Sequence, residues 1–261
     1  MARVMKGERA CKTKAKERIS QTSDVGERDA LQGHPFDVPG EVSRAFPNFT
    51  CISDNKYVCK KPPDEFLPLK HKCRENRLLA VECGECRPTC RNKRLQTPKK
   101  WAKVQVRKTG NGTGWGLFAV GRSVKPGKVI GRYDGEVLSL KMMQQRMAKK
   151  KRDDDRYVMK LGKELHVDAE KYGNVTRFIN HRCQGANCVV KRKRIYGQEY
   201  LGVYAKRRIE IGEEFTFDYG EDFMSNLGFN CRCAAGAMCR QASRRGSPQA
   251  PRRVSLKAAY A

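Results

Sequence analysis

The chain has 261 residues, which is enough for one substantial hydrophobic core and a few smaller modules. It contains 55 lysines and arginines but only 28 aspartates and glutamates. Its formal net charge of +27 predicts a polyanionic partner, because basic side chains near phosphates release condensed counterions. Nucleic acid or chromatin is favoured over an anionic membrane, and a merely solvated basic surface is the alternative. Since no apolar run reaches the length of a membrane span and no secretory signal is visible, we predict an intracellular protein without a membrane partner.

The two ends of the chain differ in composition from its middle. Residues 1–50 are rich in Lys, Arg, Glu, Ser and Gly, and residues 242–261 are basic and rich in Pro, Ser and Ala. Neither end shows apolar periodicity, so we expect two basic, disordered arms. Cys11, isolated in the first arm, is interpreted as an incidental free thiol.

A dense group of cysteines follows the first arm. Its members are Cys51, Cys59, Cys73, Cys83, Cys86 and Cys90. In a reducing compartment such a group predicts zinc ligation rather than disulfides, and zinc would supply folding free energy on the order of 10 kcal/mol per site. Unliganded buried thiols are the alternative. His71 lies within the group, and either a ligand or a surface role is open to it.

In the middle of the chain, apolar and polar residues alternate as they do in β-strands. Residues 101–109 predict a strand, and the glycine-dense NGTGWGLFAV predicts a turn that enters a second strand. KVIGRYDGEVLS, from residue 128, is typical of a β hairpin. Ser139 is expected to cap a helix whose core stripe contains Leu140, Met143 and Met147.

The basic end of this helix, residues 149–152, is either solvated or phosphate-facing. Two further hairpins are predicted beyond it, over residues 157–169 and over VVKRKRIYGQEYLGVYAKR.

Two separated stretches carry a resemblance to a known family. GNVTRFINHRCQGANC, residues 173–188, and EEFTFDYG, residues 213–220, closely resemble the signature segments of the SET-domain protein lysine methyltransferases. The resemblance implies a mainly β fold of small sheets around a pseudoknot, in which FTFDY is threaded beneath the Asn-His segment. This fold is not the doubly wound one on which many other methyltransferases are built.

The flanking cysteines extend the resemblance. NRLLAVEC followed by CRPTCRN resembles the associated-with-SET (AWS) module of the histone H3 lysine 36 class, which usually carries seven cysteines and two zinc ions. Six are present here, and Cys51 and His71 could complete the set. The three cysteines of CRCAAGAMC, namely Cys231, Cys233 and Cys239, resemble the post-SET motif, which would hold one zinc together with Cys183.

The expected organisation follows from this resemblance, with two to three zinc ions in all. It comprises an arm (1–50), an AWS-like zinc module (51–98), a SET domain (99–222), a post-SET motif (223–241) and a tail (242–261).

The resemblance also assigns a cofactor site for S-adenosylmethionine. The expected cofactor-binding residues are Thr113, Gly114, Trp115, Arg156, Tyr157, Arg177, Asn180 and His181. Tyr219 is expected to orient the amine and the methyl group, Tyr133 to lie near the substrate-lysine channel, and Phe217 to control how many methyls are added. Without the family context, each tyrosine could equally be a core residue.

The predicted function is therefore a histone-lysine N-methyltransferase that acts on a nucleosome, most directly at lysine 36 of the histone H3 tail. The expected setting is the nucleus, with DNA bound through the basic arms and the protein monomeric. Lysine 9 of the same histone is the alternative substrate, since ECxxC and CRN also resemble the pre-SET module of that class. A zinc-stapled chromatin-binding module without activity is the third hypothesis.

Overall fold

The computed structural model describes residues 49–59, 68, 72–84, 86, 89–110, 114–150, 157–220, 231, 233 and 239. Most of the first predicted arm, the whole tail, His71, Thr113 and Arg156 lie outside these residues, so the predictions made for them remain predictions.

The described part of the chain is mostly β, as predicted. Its strands are β1 (Thr50–Cys51), β2 (Lys56–Tyr57), β3 (Val104–Lys108), β4 (Trp115–Ala119), β5 (Val129–Arg132), β6 (Gly135–Ser139), β7 (Val158–Lys160), β8 (Leu165–Gly173), β9 (Asn180–His181), β10 (Cys188–Ile195), β11 (Gln198–Ala205) and β12 (Thr216–Phe217). Its α-helices are α1 (Cys73–Leu78) and α2 (Leu140–Ala148), and short 3-10 helices cover Pro98–Lys100 and Val175–Phe178. No described helix has the length and apolarity needed to cross a membrane.

In the described residues, the strands form four small sheets rather than one large one. The largest has the order β1-β8-β6-β2, with β7 also paired to β8. The order β10-β11-β5 makes the second, while β3 with β4 and β9 with β12 make two-stranded sheets. Buried apolar side chains of β6, β8 and β11, such as Val137, Val167 and Leu201, pack together between the first two sheets. The predicted arrangement of small sheets is confirmed.

Local signals predicted several elements correctly. β10 and β11 form the predicted hairpin, and its turn residues Tyr196 and Gly197 both have positive φ, as a tight two-residue hairpin turn requires. Ser139 caps α2, because its hydroxyl accepts from the backbone N–H of Met142 at 3.4 Å. Met143 and Met147 are buried, which confirms the core stripe.

The prediction of a β hairpin over residues 128–139 is wrong. Both strands exist, but β5 pairs with β11 in one sheet, whereas β6 pairs with β8 and β2 in another. The residues between them, Tyr133 and Asp134, are not among those with positive φ, so the tight-turn geometry is not adopted. Asp134 is buried and accepts from Asn174 Nδ2 at 2.9 Å. The chain crosses between sheets here, and Tyr133 stands at the crossing.

The cysteine-rich segment is joined to the sheets by backbone and carboxylate contacts. Val81 bridges Arg194 of β10 in parallel. The buried Glu82 carboxylate accepts from the backbone N–H groups of Leu95 and Gln96 at 2.9 and 3.3 Å. Since Leu95 is itself a core residue beside Val129 and Tyr204, folding of the cysteine-rich segment is tied to folding of the sheets.

Candidate active site

The site is organised by the parallel pair of β9 with β12. Asn180 is opposite Thr216, and His181 is opposite Phe217. The backbone N–H of Arg182 extends the pairing by donating to the Phe217 carbonyl at 3.1 Å. The long β10–β11 hairpin lies between these two strands in the sequence, so the second segment returns alongside the first only after a distant excursion.

The aromatic end of β12 meets the histidine of β9. The ring of Tyr219 lies 4.8 Å from that of Phe217 and 5.1 Å from that of His181, measured between centroids. The Tyr219 backbone N–H donates to His181 Nδ1 at 3.1 Å, and its hydroxyl donates to the Ile179 carbonyl at 2.8 Å. Because Nδ1 accepts, the neutral imidazole carries its proton on Nε2.

A second tyrosine, Tyr133, lies close to Tyr219 and is located between β5 and β6. The Tyr133 side chain is buried, and its hydroxyl donates to the Tyr157 carbonyl at 2.8 Å. Burial, with the nearby Tyr219 adding to it, raises the pKa of Tyr133 well above its ordinary value. Tyr133 is therefore a neutral phenol at physiological pH, and the structure brings it together with Tyr219 and Phe217.

Arg177 packs against aromatic rings next to the site. Its guanidinium carbon lies 3.9 Å from the centroid of the Tyr157 ring and 5.0 Å from that of Phe178. Its Nε donates to the Ala169 carbonyl at 2.8 Å. A buried cation next to aromatic faces is favourable and rigid, so Arg177 fixes Tyr157 beside the site.

Asn180 connects β9 to β4. Its amide nitrogen donates to the Trp115 carbonyl at 3.0 Å and to Glu214 Oε1 at 2.7 Å. Gly114, which precedes Trp115, has a φ of 84°, a backbone conformation that favours glycine. Gly114 and Trp115 thus lie beside Asn180, with His181 next to it in β9, while Tyr157 and Arg177 contact each other; their role in binding a cofactor remains a prediction.

Comparison with known proteins agrees with this geometry. Residues 114–220 match the SET domain family. The chain contains a SET domain. The matched residues include every described strand from β4 to β12, and they lie within the predicted range 99–222, whose ends remain a prediction.

The SET domain has histone-modifying relatives. The chain is 31% identical over 186 residues to histone-lysine N-methyltransferase ASHR3 of Arabidopsis thaliana, covering 66% of this chain and 36% of that protein. It is 33% identical over 222 residues to an H3 lysine-36 specific histone-lysine N-methyltransferase of Aspergillus fumigatus, covering 77% of this chain and 23% of the relative.

A protein of the same description from Aspergillus oryzae is 38% identical over 148 residues, which are 55% of this chain and 15% of the relative. The chain thus spans about a third or less of the length of these relatives. The predicted resemblance to SET-domain histone-lysine methyltransferases is confirmed.

A cluster of four thiols precedes the SET domain. The sulfur atoms of Cys73, Cys83, Cys86 and Cys90 all lie within 4.8 Å of one another. The Sγ of Cys73 is 3.3 Å from that of Cys86 and 3.6 Å from that of Cys90. Tetrahedral zinc with Zn–S bonds of about 2.3 Å separates its sulfurs by about 3.8 Å, so this cluster could hold zinc with little rearrangement.

The electrostatics of this first cluster also suit a cation. Contacts with Cys86 and Cys90 raise the pKa of the Cys73 thiol to about 12, since neighbouring sulfurs oppose a negative charge. A divalent cation reverses that effect and deprotonates the thiols.

Two asparagines support the first cluster, and the sequence did not predict their role. Asn92 Nδ2 donates to Cys83 Sγ at 3.3 Å and to the Val81 carbonyl at 2.8 Å. Asn76 Nδ2 donates to the same sulfur at 3.5 Å. Both side chains are buried, and N–H donors to a thiolate orient it as a metal ligand. They lie within the motifs NRLLAVEC and CRN, which was the signal available.

Cys51 and Cys59, also predicted as metal ligands, are not part of this cluster in the described structure. Cys51 belongs to β1, which pairs with Gly173 of β8, and burial raises the pKa of its thiol. The Cys59 thiol lies 3.6 Å from the Val137 carbonyl, the acceptor in a weak hydrogen bond. Their ligand role remains a prediction, as does the second zinc ion of the AWS-like module.

A second thiol cluster adjoins the SET domain at its other end. Cys183 Sγ lies 3.5 Å from Cys231 Sγ and 3.9 Å from Cys239 Sγ, and Cys233 packs against the same group. These are the four predicted post-SET ligands. His181 Nε2 lies 3.1 Å from Cys183 Sγ, so the imidazole joins this cluster to the Tyr219 backbone. The described residues could therefore hold two zinc ions, with His181 next to Cys183, Cys231 and Cys233 as a further potential ligand of the second.

Proposed function

We propose that this chain is an S-adenosylmethionine-dependent histone-lysine N-methyltransferase. The observation that supports the proposal most directly is the parallel pairing of β9 with β12, which sets Tyr219 against His181 and Phe217. The relatives agree with this proposal, since all three are named histone-lysine N-methyltransferases.

The residues of the site suit methylation of an amine. A lysine ammonium has no lone pair, so it must lose a proton before it can attack. Burial among Tyr133, Phe217 and Tyr219 disfavours the charged form and lowers the lysine pKa. Each tyrosine hydroxyl donates to a backbone carbonyl, so each presents its oxygen to the amine as an acceptor. Two oriented acceptors align the nitrogen, and alignment is a major source of rate.

The residues around Asn180 suit the cofactor. S-adenosylmethionine supplies an electrophilic methyl group on a sulfonium. The Asn180 amide is held by two acceptors, and Trp115 and Gly114 offer backbone atoms on the same side. Arg177 and Tyr157 form a rigid wall. We propose these residues and His181 as the cofactor site, with Thr113 and Arg156 as further candidates.

Phe217 is proposed to control how many methyl groups are added to the lysine. Its side chain is buried beside Tyr219, and a phenyl group offers no hydroxyl to hold a water in the channel. Room is thus left for an amine that already carries methyl groups, and we propose that more than one transfer takes place.

The proposed substrate is lysine 36 of histone H3 on the nucleosome. Two of the relatives are described as H3 lysine-36 specific, and the resemblance of NRLLAVEC points the same way. Mass spectrometry of recombinant nucleosomes after incubation with labelled S-adenosylmethionine identifies the residue. Labelling at lysine 9 would contradict the assignment, and the absence of any labelling would favour the binding-module hypothesis.

The basic arms are proposed to bind nucleosomal DNA in the nucleus. The net charge of +27 supports this partner, because phosphate contacts release counterions and weaken steeply with salt. Activity on nucleosomes should therefore fall more steeply with salt than activity on a free histone tail. Equal salt slopes for the two substrates would contradict DNA binding.

The catalytic assignment is tested by Tyr219→Phe. The ring and nearly all its packing remain, but the hydroxyl that donates to Ile179 is lost. We expect turnover to fall by a hundredfold or more, that is by about 3 kcal/mol of transition-state stabilisation, while S-adenosylmethionine affinity, zinc content and melting temperature stay unchanged. Full activity in this variant would remove Tyr219 from the mechanism.

A further inference from the structure

Glu214 lies where β4 and β9 of the proposed cofactor site meet. Its Oε1 accepts from Asn180 Nδ2 of β9 at 2.7 Å. Its backbone bridges Phe118 of β4, and the next residue, Phe215, donates to the Leu117 carbonyl at 2.7 Å. One residue therefore contacts the Asn-His strand with its side chain and the GWGL strand with its backbone, and it leads directly into β12.

Gly116 shows how closely this carboxylate approaches β4. A Cβ on Gly116 would lie 2.5 Å from Glu214 Oε1 and 2.8 Å from Thr109 Cγ2. Either distance is shorter than a van der Waals contact, so only glycine leaves room for the carboxylate there. The close approach of Glu214 and Thr109, rather than a turn, thus accounts for the second glycine of GWGL, since Gly116 lies within strand β4.

The preceding residue, Glu213, provides a contrast in the same segment before β12. The Glu213 carboxylate is turned to other partners, accepting from Asn187 Nδ2 at 2.9 Å and from Arg207 Nη1 at 3.0 Å. Successive side chains in extended backbone point to opposite sides. Of the two glutamates, Glu214 alone contacts Asn180 in the described structure.

We infer that Glu214 is a positioning residue for the cofactor: it fixes the Asn180 amide against the Trp115 carbonyl and holds the spacing between β4 and β9. With both hydrogens of the amide directed at Glu214 and Trp115, the plane and the rotamer of Asn180 are set before a ligand arrives. The inference rests on the proposed function, because it assigns Asn180 to S-adenosylmethionine.

Burial raises the pKa of Glu214, and the hydrogen bond from Asn180 offsets this only in part. The carboxylate is held in a half-buried position in spite of that desolvation, which is consistent with a positioning role.

Three substitutions test the inference by calorimetric titration with S-adenosylmethionine. Glu214→Asp keeps the charge but withdraws the carboxylate by one methylene, and Glu214→Ala removes it. Both should raise the cofactor Kd about tenfold and leave the KM for the histone substrate unchanged. Glu214→Gln keeps the length and an acceptor, so its Kd should stay within about threefold of the parent chain.

Glu213→Gln is the matched control, since it alters the adjacent carboxylate without touching Asn180 or Gly116. We expect its cofactor Kd to match that of the parent chain. A general structural defect would instead lower the melting temperature and affect both substrates together.

Gly116→Ala gives an independent measurement. In the parent chain the new methyl group collides with Glu214, so Kd should rise. In the Glu214→Asp background the same change should raise Kd less, because the carboxylate has withdrawn.

If the parent chain binds the cofactor and Kd is unchanged in both Glu214→Asp and Glu214→Ala, the inference is overturned. The proposed function would be unaffected by that result. A parent chain that does not bind S-adenosylmethionine would overturn both.

Discussion

The first cysteine cluster takes its thiols from neighbouring parts of the sequence, with Cys73 and Cys90 only 17 residues apart. The second joins Cys183 to Cys239 across 56 residues. The first is supported by Asn76 and Asn92 and is linked to the core through Glu82 and Leu95. The second touches His181, which contacts Tyr219. We therefore expect a metal ion at the first cluster to stabilise the fold, and a metal ion at the second to position residues of the candidate active site.

The largest expected effect is loss of the first site through Cys83→Ser. Zinc bound to such a site contributes on the order of 10 kcal/mol to folding, and Cys83 is buried next to both asparagines. We expect one zinc ion per chain to be lost, and the melting temperature to fall by on the order of 10 °C or more. Metal analysis and thermal denaturation measure these two effects.

Cys188→Ala is the control for Cys83→Ser, because Cys188 is buried but belongs to neither cluster in the described structure. Its zinc content should equal that of the parent chain. An unchanged melting temperature in Cys83→Ser would show that the first cluster does not support the fold.

The second expected effect concerns activity rather than stability. Cys233→Ser should also remove one zinc ion, but the melting temperature should change by only a few degrees. Turnover should fall on the order of a hundredfold, because the cluster that holds Cys183 beside His181 is lost. If this variant behaved as Cys83→Ser does, the contrast between the two clusters would be wrong.

The smallest expected effect tests the hydrogen bonds to sulfur. Asn92→Ala removes the donors to Cys83 Sγ and to the Val81 carbonyl, and such partners typically change metal affinity tenfold or more. We expect zinc to be lost to a chelator at about a tenfold lower chelator concentration, with loss confined to the first site. Arg91→Ala, an exposed neighbour, is the control and should behave as the parent chain does.

Elements with local signals were predictable from the sequence. The β10–β11 hairpin and the cap at Ser139 depend on residues that are close in sequence, and both were predicted. The crossing at Tyr133 was mistaken for a hairpin, because the buried partners of Asp134 and Gly135 lie on distant segments.

In the candidate site, too, some residues could be located from the sequence and others could not. The resemblance located Asn180, His181 and Tyr219, since whole motifs surround them. The roles of Asn92 and Glu214 depend on single contacts between distant parts of the chain, to Cys83 and Asn180 respectively, and no periodicity or spacing predicts such contacts.

The parallel pairing of β9 and β12 also has a consequence for biosynthesis. Ribosomes add about 5–20 residues per second, so Cys90 follows Cys73 within a few seconds, and the first metal site can close while the rest is still being made. Cys183 must wait for the 56 residues up to Cys239, and β9 must wait for β12. Pairing of such distant strands is intrinsically slow. A nascent chain could therefore bind its first metal ion well before β9 and β12 pair, and a ribosome that stalls within the β10–β11 hairpin would leave a metal-bound first cluster beside an unformed candidate site.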